Sequence, residues 1–73
     1  MLEIRQLDRS GDRVIGVLHK SESYDITETV FANLVNESND FTVLGVYDSG
    51  AGSYIGGMMH GKVYELQGRA ATL

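Results

Sequence analysis

The alternation of apolar and polar residues predicts a chain built mostly of strands. Residues 2–7 alternate between apolar and polar side chains, which is typical of a strand with one solvated face. Residues 41–48 carry apolar side chains on both faces, which indicates an interior strand that is covered on both sides or contacts a partner. Residues 54–66 form a longer predicted strand whose glycines indicate a bulge or bend, and residues 69–73 follow a turn at Gly68 as the start of a last strand.

Between the first two of these strands, the apolar spacing changes to that of a helix. The stretch 26–36 places four apolar residues on one stripe: Val30, Phe31, Leu34 and Val35. Asp25 is expected to cap this helix, and Glu28, three residues later, completes a capping box. The polar residues that follow end it. We therefore predict a helix over Ile26–Asn36.

Residues 13–20 allow two interpretations. Their apolar side chains also fall on one helical stripe, and Ser10 is placed to cap a helix there. Gly16 and the β-branched residues weaken a helix, and they fit a hairpin over residues 2–20 with its turn at Ser10–Gly11. We expect the helix, with the hairpin as the alternative.

Together these elements predict a single small α+β domain over residues 1–73. The expected order is strand, helix, helix, strand, strand, strand (β-α-α-β-β-β), with a mostly antiparallel sheet. The segment from Asp48 to Ser53 is expected to join two strands as a hairpin loop. The chain has no proline and no repeat or linker-like stretch that would divide it.

Composition argues against several ways of supporting so small a core. The chain has no cysteine and therefore no disulfide, and its two histidines are too few for the usual four-ligand zinc site. No metal or cofactor is therefore expected. A domain of 73 residues without such support often gains its stability by association.

The charge balance argues against nucleic acid as a partner. The formal net charge is −4, and the six basic residues are spread along the chain instead of forming a run. The first residues show no apolar signal core, and no apolar run approaches the ~20 residues of a membrane span. The sequence therefore predicts an acidic, cytoplasmic protein that binds neither nucleic acid nor membrane.

Four stretches of the sequence carry a family resemblance. They are IRQLD in the first strand, SESYDITETVF at the junction of the two predicted helices, FTVLGVYD in the interior strand, and YIGGMMHGKVYEL after the hairpin loop. In the predicted element order, they look like the N-terminal half of the GNAT acetyltransferase superfamily. The resemblance implies half of an acetyltransferase fold over essentially the whole chain.

The resemblance also implies that this half is not catalytically complete. In that family, a loop of the pattern Gln/Arg-x-x-Gly-x-Gly/Ala follows the fourth strand and holds the pyrophosphate of acyl-coenzyme A at a helix N-terminus. The sequence reaches Leu73 before such a loop. We therefore assign no catalytic residue, and we expect acetyl-CoA to bind only if the missing half is supplied.

Candidate binding residues fall into two groups. The resemblance places Glu22, Tyr24 and Asp25 beside an acceptor-amine site, although loop solvation and helix capping explain the same residues without a ligand. The second group combines adaptable apolar side chains and a histidine on the C-terminal strands: Tyr54, Met58, Met59, His60 and Tyr64. Met59 is expected on the face opposite to the other four. Plain core packing explains this group too, but in a half fold it is expected to face a partner.

Three functions are compatible with these observations. The first is a self-associating binding or assembly module, a homodimer through its C-terminal sheet. The second is a remnant acetyltransferase that binds an amine or coenzyme A weakly. The third is an antitoxin-like acidic protein that masks a basic partner protein. The first is preferred.

Overall fold

The computed structural model describes residues 1–66 and shows a five-stranded antiparallel sheet with one helix packed against it. In chain order the elements are β1 (Leu2–Leu7), β2 (Val14–Ser21), α1 (Tyr24–Glu37), β3 (Val43–Asp48), β4 (Ser53–Met59) and β5 (Lys62–Tyr64). The strand order in the sheet is β2-β1-β3-β4-β5. The α+β class is confirmed, but the expected pair of helices and the order β-α-α-β-β-β are wrong. The predicted turn at Gly68 and strand over 69–73 lie outside the described residues.

The stretch 13–20, expected as a helix, instead forms the strand β2 of the alternative hairpin. Three of the first four residues of β2 are β-branched and the other is Gly16, so that local propensity favours a strand. Two register irregularities against β1 disturb the strict alternation of β2. Its apolar residues therefore imitate a helical stripe, which explains why the sequence pattern was misleading.

The turn between β1 and β2 is organised by the carboxylate of Asp8. Its Oδ1 atom accepts hydrogen bonds from the backbone N–H of Asp12 at 2.8 Å, from that of Arg13 at 3.3 Å and from the hydroxyl of Ser10 at 3.1 Å. Gly11 takes a left-handed conformation with φ of 78°. These bonds, that from Asp12 foremost, lower the pKa of Asp8 below its ordinary value.

Acid should therefore weaken the fold partly through this turn. Because the folded-state pKa of Asp8 lies below the unfolded-state pKa, the ionised carboxylate stabilises the fold above the unfolded value. That contribution is lost as the pH falls through the folded value. We expect Asp8→Asn to lower the urea midpoint at neutral pH and to lower it progressively less as the solution becomes more acidic. Glu37→Gln, outside the turn, is the control, and a deficit of Asp8→Asn that stays constant with pH would contradict the assignment.

The predicted helix is confirmed as α1, although α1 is longer than Ile26–Asn36 and is capped by a different residue. The N-cap is Ser23 and not Asp25, because the Ser23 hydroxyl accepts a hydrogen bond from the backbone N–H of Ile26 at 3.2 Å. Asp25 lies in the first turn, where a negative charge is favourable at the positive end of the helix dipole. The predicted capping box is therefore wrong.

The interior strand is confirmed as β3, the central strand of the sheet, but it begins at Val43 and not at residue 41. The hairpin loop that follows it is also confirmed. The long predicted strand over residues 54–66 is wrong, because a two-residue turn at His60–Gly61 divides it into β4 and β5. The predicted bulge is present, since the register between β3 and β4 shifts by one residue opposite Val46 and Tyr47.

The turn between β4 and β5 has left-handed φ values of 54° at His60 and 74° at Gly61, as a type I′ hairpin turn requires. Asparagine is favoured over histidine at the first of these positions, because its short side chain can hydrogen-bond locally in the left-handed conformation. We expect His60→Asn to stabilise the fold by about 0.5 kcal/mol. Urea unfolding measures this difference, and a lower midpoint for the variant would show that the imidazole stabilises the turn.

The core lies between α1 and the face of the sheet that the helix covers. Its buried residues are Ile4, Phe31, Leu44, Val46, Met58 and Leu66. Leu66 belongs to this core because the chain after β5 returns across β4 at Gly56. A Cβ at Gly56 would lie only 2.5 Å from a methyl group of Leu66, so that glycine is what permits the close approach.

Candidate functional site

The helix covers one face of the sheet, and within residues 1–66 no other element covers the opposite face. Strand register assigns the side chains, because directly paired residues share a face and alternate residues change face. We call this surface the uncovered face. Its residues are Glu3, Arg5, Leu7, Val14, Val17, Lys20, Val43, Gly45, Tyr47, Tyr54, Gly57, Met59, Lys62 and Tyr64.

A groove of about 320 Å³ runs along the middle of the uncovered face. Its floor is backbone, because the paired residues Gly45 and Gly57 have no side chains to fill it. The ring of Tyr54 lies over one end of this floor, where a Cβ on Gly45 would come within 2.6 Å of it. The ring of Tyr64 stands at the rim, 51% exposed. The arrangement offers an apolar slot large enough for an aromatic side chain.

Arg5 lies beside this groove and is held by three neighbours. Its guanidinium carbon is 3.8 Å from the centroid of the Tyr47 ring, and its Nη1 donates to the hydroxyl of Tyr54 at 3.2 Å. Its Nε donates to a carboxylate oxygen of Glu3 at 2.9 Å. The hydrogen bond with Tyr54, followed by that with Glu3, raises the pKa of Arg5. The centre of the face therefore carries a charged pair that is already neutralised and rigidly placed.

The remaining charges of the uncovered face lie at its margins. Lys20 is on β2 and Lys62 is on β5, and these are the two edge strands of the sheet. Lysine on an edge strand hinders uncontrolled strand pairing. The face therefore combines an apolar groove and a neutralised ion pair at its centre with lysines at its rim, and a polar rim around the centre is the usual anatomy of a protein interface.

Exposed apolar side chains extend from the groove onto the edge strand β2. Four of its side chains are exposed: Val14, Ile15, Val17 and Leu18. Val14 and Val17 belong to the uncovered face, and together with Tyr54 and Tyr64 they leave large apolar groups open to solvent on three strands of one surface, β2, β4 and β5. A contiguous exposed apolar patch on a small protein marks an interaction site.

The residues predicted on the C-terminal strands are only partly brought together. Tyr54, Met59 and Tyr64 share the uncovered face, whereas Met58 is buried beneath the helix and His60 lies in the turn at one end of the sheet. The expected division, with Met59 opposite to the other four, is therefore wrong. The bulge in β4 and the turn at His60 each change which face of the sheet the following side chains take. Strict alternation along the sequence predicts neither change.

The predicted amine site is not near this face. Glu22 lies in the connection between β2 and α1, where its carboxylate is 3.9 Å from the N-terminal amine of Met1. Tyr24 and Asp25 belong to the first turn of α1, and Tyr24 packs against the core. These three residues therefore stand at the start of the helix and not between two helices.

Sequence reasoning missed the residues that shape the groove. Gly45 interrupts an apolar strand, and a glycine within a strand often marks a close approach of another group. Arg5 was assigned only to the solvated side of the first strand. The signal that identifies both is the register of β1 against β3, which pairs Arg5 directly with Gly45.

Residues 1–66 contain no cluster of three or more His, Asp or Glu side chains that could hold a metal ion. The helix in this part of the chain is too short and too polar to cross a membrane. Comparison with protein-family models, with curated proteins and with solved structures finds no match. The candidate site must therefore be interpreted from its own geometry.

Proposed function

We propose that this chain is an assembly module that forms a homodimer through its uncovered face. The observation that carries the proposal is the glycine-floored apolar groove beside the exposed ring of Tyr64. The helix lies on only one face of the five-stranded sheet, and the other face needs a second layer to exclude water. Two such sheets packed face to face would enclose a second core about 10 Å thick.

The dimensions of the face match those of a weak but specific interface. The molecule measures 28 × 22 × 17 Å, so that the broad face spans roughly 600 Å² and two copies would bury roughly 1,200 Å². That area is at the lower end for stable protein complexes. We therefore expect a dissociation constant in the micromolar range and an equilibrium between monomer and dimer.

A second copy suits the shape of the face because the face offers both a slot and a group to fill it. A two-fold operation is self-complementary, so that Tyr64 of each copy can enter the groove of the other. Because Glu3 and Arg5 neutralise each other at the centre of the face, a partner needs no charged group there. The lysines at the margins remain in contact with water.

The test compares two neighbouring residues of β5 that differ in their face. Tyr64, 51% exposed, lies on the uncovered face, whereas Val63, 46% exposed, lies on the helix side. We expect Tyr64→Asp to weaken dimerisation at least about tenfold while circular dichroism and the urea midpoint of the monomer stay unchanged. We expect Val63→Asp to leave dimerisation unchanged. Equal weakening by both variants, or by neither, would contradict the proposed interface.

The other two functions lack an observation that favours them. A remnant acetyltransferase predicts saturable binding of coenzyme A, which isothermal calorimetry would detect. An acidic mask for a basic protein would use α1, which carries Asp25, Glu28 and Glu37 without any basic residue. Neither prediction involves the uncovered face, so that Tyr64→Asp would leave both activities intact.

A further inference from the structure

Three connections of the chain meet at one end of the sheet. They are the turn between β1 and β2, the segment between α1 and β3, and the turn between β4 and β5. Between them lies a cavity of about 440 Å³ that is separate from the uncovered face. Its lining comprises Arg9, Asp40, Phe41, His60 and Gly61. Charged side chains from different loops therefore converge on one space.

The charges of this cavity are opposite in sign but do not neutralise each other. Within residues 1–66, neither Arg9 nor Asp40 forms an ion pair. The Arg9 guanidinium carbon instead lies 4.6 Å from the centroid of the Phe41 ring, and such stacking orients the planar N–H edge. The Asp40 carboxylate lies beside Gly61, where a Cβ would come within 3.1 Å of Oδ1. The cavity therefore presents a positive group and a negative group separately.

The backbone at the mouth of the cavity keeps a costly conformation. His60 is the only described residue other than glycine with a positive φ, and it places an imidazole where asparagine or glycine would form the same turn more easily. Unfavourable backbone conformations of this kind collect at binding sites. An imidazole can donate a hydrogen bond to a bound polar group or accept one from it.

We infer that this cavity binds a small zwitterion, a molecule carrying both a carboxylate and an ammonium group, as amino acids do. The guanidinium of Arg9 takes the carboxylate, for which its paired N–H groups are shaped. Asp40 takes the ammonium group, and the exposed ring of Phe41 contacts the apolar part of the ligand. A simple anion would leave Asp40 unmatched and a simple amine would leave Arg9 unmatched, so the two charges together select for a dipolar ligand.

Glycine and its two halves test this selectivity on the full chain. Amide resonances of Asp40, Phe41 and Gly61 are followed by NMR as glycine, acetate or methylammonium is added. We expect saturable shifts with glycine in the millimolar range and affinities at least about tenfold lower for acetate and for methylammonium. Arg9→Gln and Asp40→Asn should each weaken glycine binding by about the same factor.

Control variants separate this inference from the proposed dimer. Lys20→Gln removes a basic residue on a different strand and should leave glycine binding unchanged, as should Tyr64→Asp. Unchanged resonances elsewhere show that each variant is folded. Acetate binding as tightly as glycine and insensitive to Asp40→Asn would overturn the inference in favour of a simple anion site. The absence of any saturable shift up to about 100 mM glycine would overturn it altogether.

Discussion

Replacing Phe31 by alanine is expected to leave most of the protein unfolded at room temperature. Phe31 is 6% exposed and lies at the centre of the contact between α1 and the sheet. Truncating a fully buried phenylalanine costs about 3–5 kcal/mol because the lost contacts leave a cavity. A single hydrophobic core in a chain of this length rarely supplies more than about 3–5 kcal/mol, so the loss is about as large as the whole stability of the domain. Circular dichroism and urea unfolding measure the loss.

The chain contains its own control for this prediction. Phe41 is the only other phenylalanine, and it is 65% exposed in the segment before β3. Phe41→Ala removes the same atoms without opening a cavity, so that we expect its unfolding free energy to stay within about 1 kcal/mol of the original. Similar losses for Phe31→Ala and Phe41→Ala would show that α1 does not form the core described above.

Replacing Gly57 by alanine is the second change with a large expected effect. A Cβ at this position would overlap the carbonyl oxygen of Leu44 and lie 3.2 Å from the Cα atom of Gly45. Both are backbone atoms of the central strand, so that no side chain can rotate to make room. Strand β4 must then move away from β3, and overpacking of this kind costs about 1–3 kcal/mol. Urea unfolding should report a loss near the upper end of that range.

Gly16 supplies the matched control for the same substitution. It lies on the edge strand β2, and a Cβ built there would meet no atom within 4 Å. We expect Gly16→Ala to change the unfolding free energy by no more than about 0.5 kcal/mol. If Gly57→Ala proved equally harmless, β3 and β4 would not be paired as described, and the floor of the groove would need a different explanation.

The fold was predictable from the sequence where local signals agreed with one another. The helix α1 has an apolar stripe followed by polar residues that end it, and β3 combines apolar residues with a hairpin loop after it. The sequence was misleading for β2, because its bulges produce apolar spacing of the helical kind. The decision between helix and hairpin depends on pairing with β1, which is a contact between distant parts of the chain and not a local propensity.

The sequence predicted several residues of the candidate site but not how they are arranged on the sheet. Tyr54, Met59 and Tyr64 were identified as adaptable groups seeking a partner, and they do share one surface. The sequence could not show that Met58 faces the helix. A bulge in β4 changes which face the residues after it take, and only the pairing with β3 defines where that bulge lies. The same limit concealed the groove, since Gly45 and Gly57 acquire their role by lying opposite each other.

The dimer predicted from the sequence used the C-terminal sheet, and the last strand predicted there, over residues 69–73, lies outside the described part of the chain. The proposal now depends on the uncovered face alone. The GNAT resemblance depended on an element order that the structure does not have, and it stays a prediction that no comparison supports. The function proposed here depends on neither.

Sedimentation equilibrium of the unmodified protein tests the central claim most directly. We predict a single monomer–dimer equilibrium with a dissociation constant in the micromolar range, at the weak end of the affinities found for interfaces of roughly 1,200 Å². The weight-average mass should therefore rise from that of the 8.0 kDa monomer towards twice that value as the concentration increases. A well-folded protein that stays monomeric up to about 500 µM would contradict the claim, and the uncovered face would then be no interface between copies of this chain.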